Sequence, residues 1–368
     1  MFVFVCAGCD AELTVPLSRV TLPAHARQQY GNGLQLPVLM EPGTFAVDPD
    51  PWGPPWRTWE EVGPAEAAAR GVYAPVPYLS DAPPGAVVMA PGDTRGTVLL
   101  PERAGGYCCG LGPGDGPNMA CEGCGLPVAT RVDDCSLWQA VWLAPDAVHR
   151  LPVDGTRTAP LSWEELPTEG RATPPFEPRG RWGFSPERQD GSSWSPRWEA
   201  AAGQALAHLL AASEGGPVSV PHGLATVVFQ RSLDLLLPTG PPPRRAVLAG
   251  PRLPAPEGDA PILLVPAHPE TGRAWTPDGG AASASCVPLP FGVWLWLVSP
   301  ERYLPAPASG ALPEGVLRDD PPPALPDRLF RADPGVFGHT LARLLAVRSP
   351  WLRTIHENLS PYLRARIF

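Results

Sequence analysis

The sequence contains no lysine; all 28 basic residues are arginine. Isoleucine and asparagine occur three times each, and the codon bias of a GC-rich genome is the simplest cause. The absence has chemical consequences whatever its origin. A P-loop nucleotide hydrolase needs a phosphate-binding lysine, Schiff-base and pyridoxal chemistry needs the amine, and a protein kinase needs its ion-pairing lysine. Those classes are disfavoured. Long apolar runs are missing as well: the longest, FGVWLWLV at 291–298, falls far short of the roughly 20 residues of a membrane span. The opening MFVFVCAGC has no basic region before it and is too short to be a signal peptide. No G-x-S-x-G or H-E-x-x-H is present. The loop GLGPGDG at 110–116 does not sit between a strand and a helix, so it gives little support for phosphate binding.

What the chain has in quantity is proline and glycine, 53 and 38 of 368 residues. They punctuate apolar segments instead of forming repeats, which predicts short strands joined by ordered turns. With 44% hydrophobic residues and 13 tryptophans, there is enough apolar surface for two or three cores. The expected fold class is α+β, mainly β: two β-rich domains and short C-terminal helices. The boundaries read as a first β-rich domain at 1–165, a linker at 166–193, a second domain at 194–305 opened by a helix, a Pro-rich linker at 306–326, and a basic helical pair at 327–368.

Local signals support that division. Thr58 with Glu61, and Ser162 with Glu165, have capping-box spacing. Ser195 and Pro196 open a helical pattern that runs to Gly215, with Trp198, Ala202, Ala205, Leu206 and Leu209 on one face. His208 and Gln204 fall on the opposite side, where a functional role for the histidine is not expected. Collinear matches between PPGAVVMAPG (83–92) and PPRRAVLAGP (242–251), TVLLPE and ILLVPA, and the segments from Cys135 and Cys286 suggest a degenerate internal duplication. It would pair GAVVMA with RAVLAG as equivalent strands and put Cys135 and Cys286 at matching core positions.

The eight cysteines carry the strongest chemical signal. Cys6-x-x-Cys9 lies between two strand-like segments, FVFV and ELTV, and Cys121-x-x-Cys124 precedes PVATRV. A tight turn with two thiolates is the geometry of a zinc knuckle, and two knuckles complete a tetrahedral sulfur set. The short stretches around these pairs resemble a zinc ribbon, and the resemblance implies a structural zinc ion as cofactor. The long spacer between Cys9 and Cys121 departs from that pattern, so one domain would have to be inserted between the pairs. With the composition, the CAGC opening also resembles proteins of high-GC actinobacteria that begin on a CxxC segment, a resemblance that implies no activity. A local set built from Cys108 or Cys109 with Cys121 and Cys124, completed by Cys135 or a histidine, is the competing arrangement. Core packing is the simpler role for Cys135 and Cys286.

The function expected from these residues is a zinc-stabilised, non-enzymatic binding protein of the reducing cytoplasm, with a protein partner left open. The first alternative is a cysteine-dependent transferase or hydrolase using a thiol near Cys108 or Cys109. It lacks an evident base, since His25, His149 and His222 carry no local signature. Asp48 and Asp50, in VDPD, read as turn residues. The second alternative, a nucleic-acid-associated zinc ribbon, conflicts with charge. The stretch 328–368 holds seven arginines against Asp333 and Glu357, a local +5, so the formal −9 leaves −14 on everything before it. Nucleic acid needs a basic footprint. The tail helices, with Trp351, Leu352, Ile355 and Leu359 in one stripe, are expected to dock on the acidic body, and a membrane would be met only through them.

Overall fold

The computed structural model describes all residues except 32–34, 104–108, 115, 155–158, 167–171, 179–191, 255–260, 278–284, 300–325, 327 and 359–368. Cys108, Leu359 and most of both expected linkers lie outside the described residues. No described helix is long and apolar enough to cross a membrane.

The first half is organised by strand alternation. β1 (Phe2–Cys6) pairs antiparallel with β11 (Val148–Pro152), with Cys6 opposite Val148. β2 (Ser18–Arg19), β3 (Thr44–Val47), β6 (Val87–Met89), β7 (Thr97–Leu99), β8 (Met119–Cys121), β9 (Pro127–Val132) and β10 (Ala140–Leu143) form a seven-stranded sheet in the order β2-β3-β6-β10-β9-β8-β7. Every neighbouring pair is antiparallel except β2 with β3. Successive side chains point to opposite faces. Phe45, Val87, Met89, Val141 and Leu143 therefore meet Phe4 of β1 in one core. Ala46, Val88, Ala140 and Trp142 enter a second core with Leu36, Leu39 and Trp138.

The second half is built on a different principle. After a short antiparallel pair, β12 (Phe176–Pro178) with β13 (Ser192–Trp194), β14 (Val218–Ser219), β15 (Arg244–Leu248), β16 (Ile262–Ala267) and β17 (Ser285–Pro290) form a parallel sheet in sequence order. Parallel strands require crossovers, and residues 226–236 supply a helical one between β14 and β15. β16 is buried on both faces: Ile262 and Leu264 enter the main core, Leu263 and Val265 a smaller one. The helix Pro196–Ser213 lies between this sheet and the C-terminal helix Pro334–Arg343. At Gly203 a Cβ would stand 2.5 Å from the Asp333 carbonyl oxygen, so the bare backbone permits that approach.

Several expectations need correction. The protein is a mixed α/β structure, 29% helix and 26% strand, and not mainly β. The duplication fails on strand order. GAVVMA contributes β6, antiparallel between β3 and β10, whereas RAVLAG contributes β15, parallel between β14 and β16. TVLL is an edge strand and ILLVPA an interior one. Cys286 lies on β17, before the helix Phe291–Val298, while Cys135 lies in the turn ahead of β10. Short Pro/Ala/Val-rich matches reflected composition.

The apolar core also does not divide at residue 165. Val62, Ala67, Val72, Ala74 and Leu79 belong to the same core as Trp198, Leu206, Phe337 and Leu352. These residues come from the short helices Trp59–Val62 and Pro64–Ala69 and from the hairpin of β4 (Trp56–Thr58) with β5 (Tyr78–Ser80). The Thr58–Glu61 capping box forms as expected, and so do both Ser162–Glu165 bonds. Ser195 does not cap its helix; its hydroxyl donates instead to Glu177 Oε1 at 2.7 Å. His208 is half-buried, and burial lowers the pKa of that ring. The tail helix Pro350–Asn358 is docked, with Leu352 fully buried and Trp351 and Ile355 partly so.

Candidate metal centre

The two CxxC turns, far apart in the sequence, meet in the fold. The four Sγ atoms of Cys6, Cys9, Cys121 and Cys124 all lie within 4.8 Å of one another. Cys6 Sγ is 3.5 Å from Cys124 Sγ, and Cys9 Sγ is 3.6 Å from Cys121 Sγ. These close contacts run between the knuckles. Four sulfurs about 2.3 Å from a central ion would stand about 3.8 Å apart along each edge of their tetrahedron. A disulfide needs about 2.05 Å, so the spacing is that of a metal set and not of two oxidised pairs.

The knuckles are local copies of each other. Asp10 N donates to Cys6 O at 2.9 Å and Cys6 N to Ala11 O at 2.9 Å; Gly125 N donates to Cys121 O and Cys121 N to Leu126 O, both at 2.8 Å. The residue after each pair has a left-handed backbone, φ 58° at Asp10 and 74° at Gly125. Each turn carries glycine just before its second cysteine. A Cβ on Gly8 would stand 3.3 Å from Cys124 Sγ, and one on Gly123 would stand 3.4 Å from Cys9 Sγ. Each glycine thus makes room for a sulfur of the opposite knuckle. The strands explain the meeting: β1 ends at Cys6 and β8 ends at Cys121, both fully buried in one core. Cys9 and Cys124 face water.

Electrostatics at the cluster favours a cation. Against its burial, the amides of Cys124 and Gly123 and the thiols of Cys9 and Cys6 pull Cys121 down to about 7. Against the pull of the Ala11 amide, the thiols of Cys124 and Cys121 push Cys9 up to about 12. Burial, with the Cys124 and Cys121 thiols, raises Cys6. The sulfurs readily share one negative charge and resist a second. A divalent ion at their centre would supply the missing positive charge and hold the thiolates ionised. The set fits a structural ion such as zinc.

Among the described residues the competing set does not assemble. Cys109 and Cys135 come together with Asp134, their ligand atoms within 4.8 Å, in a group that includes neither Cys121 nor Cys124. The Asp134 carboxylate accepts from Cys109 N at 2.7 Å, and Leu111 and Asp133 exchange backbone hydrogen bonds. Cys286 packs beside Leu263 and Val265. Of the candidate bases, His149 and His222 are exposed, and His25 is buried against Trp138 with ring centroids 4.4 Å apart.

Compared with known proteins, the chain matches no family model, no curated protein and no solved structure. The geometry therefore carries the functional argument alone.

Asp48 and Asp50 do more than shape a turn. Asp48 is fully buried, and both its oxygens lie 2.6 Å from Arg27 Nη2. Burial pushes its carboxyl up; Arg27 and the Asp50 amide pull it back. Asp50 reaches the C-terminal half, 3.0 Å from His339 Nε2 and 3.1 Å from Arg343 Nε. Burial raises its carboxyl, but His339 and Arg343 overcome that and hold it well below the usual range. Burial lowers His339 to about 4, so the neutral ring donates from Nε2 to Asp50. Sequence reasoning missed this seam because its partners come from opposite ends of the chain and form no local motif.

Proposed function

We propose that this chain is a zinc-stabilised binding protein whose metal has a structural and not a catalytic role. The meeting of the two knuckles at tetrahedral spacing carries the reading. Four thiolates leave no open coordination position for water or substrate, which separates a structural site from a catalytic one. Such an ion would fasten β1 to β8 and hold the β1–β11 ribbon on the seven-stranded sheet.

The cysteine-enzyme reading is weaker. A cysteine nucleophile requires a base within hydrogen-bond reach, and of the candidates His149 and His222 are exposed and His25 is buried against Trp138. The nucleic-acid reading is opposed by the acidic body.

Elemental analysis of protein purified without added metal tests the proposal. One zinc per chain is expected. Cys6→Ser and Cys124→Ser should each lose it and lower Tm by on the order of 10 °C, because metal-binding energy is folding energy. Cys286→Ser should keep it. A Cys6→Ser protein with full zinc and normal melting would remove the N-terminal knuckle from the site.

A further inference from the structure

A crevice opens where the two halves of the protein meet. Its inner compartment has a volume of about 440 Å³, within the usual range for a small-molecule pocket. One wall is the carboxyl end of the parallel sheet: the end of β16 at Ala267, the end of β17 at Pro288–Pro290, and the start of the helix Phe291–Val298. Open α/β sheets bind ligands at that edge. The facing wall comes from the first half and includes Leu22, His25, Leu39 and Met40.

Two features of this compartment point to one ligand chemistry. The helix Phe291–Val298 begins on the cavity with no side-chain cap, and its first-turn residues Phe291, Gly292 and Val293 line it. Uncapped N–H groups at a helix start attract negative charge. Arg197 also lines the cavity, and its ion pair is a loose one, 3.8 Å from a Glu41 side chain that is 75% exposed. His25 also lines the cavity, but its Nε2 is closed off from it, buried without a hydrogen-bond partner.

The state of that ring follows from its surroundings. Burial, with Arg197 nearby, lowers His25 to about 3, and the ring hydrogen-bonds to the Leu39 backbone. A neutral ring giving its proton to Leu39 leaves Nε2 as an acceptor. A buried acceptor without a donor is costly. His268, on the same cavity, is fully used: Nε2 meets Leu161 O at 2.8 Å and Nδ1 accepts from Glu270 N at 3.1 Å.

We propose that the crevice binds a small organic anion with an apolar body. The anionic group lies against the helix start and Arg197, and the body packs among Leu22, Leu39, Met40 and Leu289. The crevice continues into an outer compartment of about 460 Å³. Its lining includes Arg19, Arg27 and Arg273 with Asp48, Asp50 and Glu270, and Arg27 is already taken by Asp48.

This inference rests on the binding-protein reading but not on the metal. The probe is 1-anilinonaphthalene-8-sulfonate, which combines a sulfonate and an apolar ring system. Titration followed by fluorescence should give one site per chain. Decanoate should displace the probe where decanol does not. Arg197→Gln should weaken binding about tenfold, the loss of a charge-assisted contact. Several weak sites, equal displacement by decanol, or unchanged affinity in Arg197→Gln would overturn the proposal. Zinc measured on the same samples separates the two readings: full zinc without probe binding defeats the crevice alone, and probe binding without zinc defeats the metal site alone.

Discussion

The two halves of this protein solve the same stability problem with different resources. The first is a sheet of short strands, most of three to six residues, with apolar side chains divided between two cores. The second has an eighteen-residue helix, a parallel sheet buried on both faces and one large continuous core. Burial stabilises at roughly 25 cal/mol per Å² of apolar surface. Short strands and divided cores collect less of it per residue. The half with the smaller cores is the one that brings four cysteines together, as expected where packing alone is marginal.

The largest expected effect breaks this comparison at the clasp. Chelation of the wild-type protein, or Cys124→Ser, should loosen one half and spare the other. Hydrogen exchange should speed up in β1, β8 and β11, while β16 and the helix Pro196–Ser213 keep their protection. Equal loss of protection in both halves would show that the metal stabilises the whole molecule, and the contrast drawn above would be wrong.

The next effect acts on the seam. Asp48 is buried and paired with Arg27, so Asp48→Asn leaves a partly buried guanidinium with Asp50, 3.5 Å away, as its remaining partner. Removing one member of a buried pair costs about 3 kcal/mol. Denaturant unfolding should show that loss in its midpoint. A change below about 0.5 kcal/mol would mean that the pair is solvated and contributes no more than a surface ion pair.

What could be read from the sequence was whatever is local. The CxxC turns, both capping boxes, the proline-started C-terminal helices and the apolar stripe of the last helix as far as Ile355 each depend on neighbours within a few residues, and each appears in the fold. The joining of the knuckles was inferable because tetrahedral sulfur chemistry demands four ligands whatever the spacing. Strand direction was not legible. GAVVMA and RAVLAG look alike because an apolar strand reads the same in an antiparallel or a parallel sheet; the difference lies in the connections. FGVWLWLV was equally ambiguous, an apolar run that a strand or a buried helix could use. The seam of Asp48, Asp50, Arg27 and His339 depended entirely on tertiary contacts.

A smaller, pH-dependent effect sharpens the seam. Glu199, on the helix Pro196–Ser213, accepts from Tyr30 Oη at 2.6 Å and pairs with Arg328 at 2.9 Å. Burial raises its carboxyl to about 7 despite those partners. The folded state therefore prefers Glu199 protonated. Its favourable contribution is full below the unfolded value near 4.5 and is lost as pH rises through 7. Glu199→Gln removes that dependence, so the variant should gain on the wild type between about pH 4.5 and 7 and hold a constant difference above. A difference independent of pH would show that Glu199 titrates alike in the folded and unfolded states.

The smallest effect belongs to the tail. Its last described helix buries Leu352 and lays Trp351 against Gly215, where an added Cβ would stand 3.5 Å from the indole. Arg353 donates to the Tyr73 carbonyl at 2.5 Å and lies 3.5 Å from Glu357. Two forces could hold this helix: apolar burial, which salt does not weaken, and the attraction of a basic tail to an acidic body, which salt screens within about 10 Å at 0.1 M. The Arg353–Glu357 pair is exposed enough to be worth only a few tenths of a kcal/mol. Trp351→Ala removes a large apolar contact and should raise the rate of proteolysis near residue 350 several-fold, whereas roughly 0.3 M salt should leave the wild-type rate unchanged. The opposite pattern, a salt-sensitive tail indifferent to Trp351, would mean that charge and not burial holds the helix down. The second half would then owe part of its integrity to electrostatics as well, and the contrast with the clasped first half would narrow.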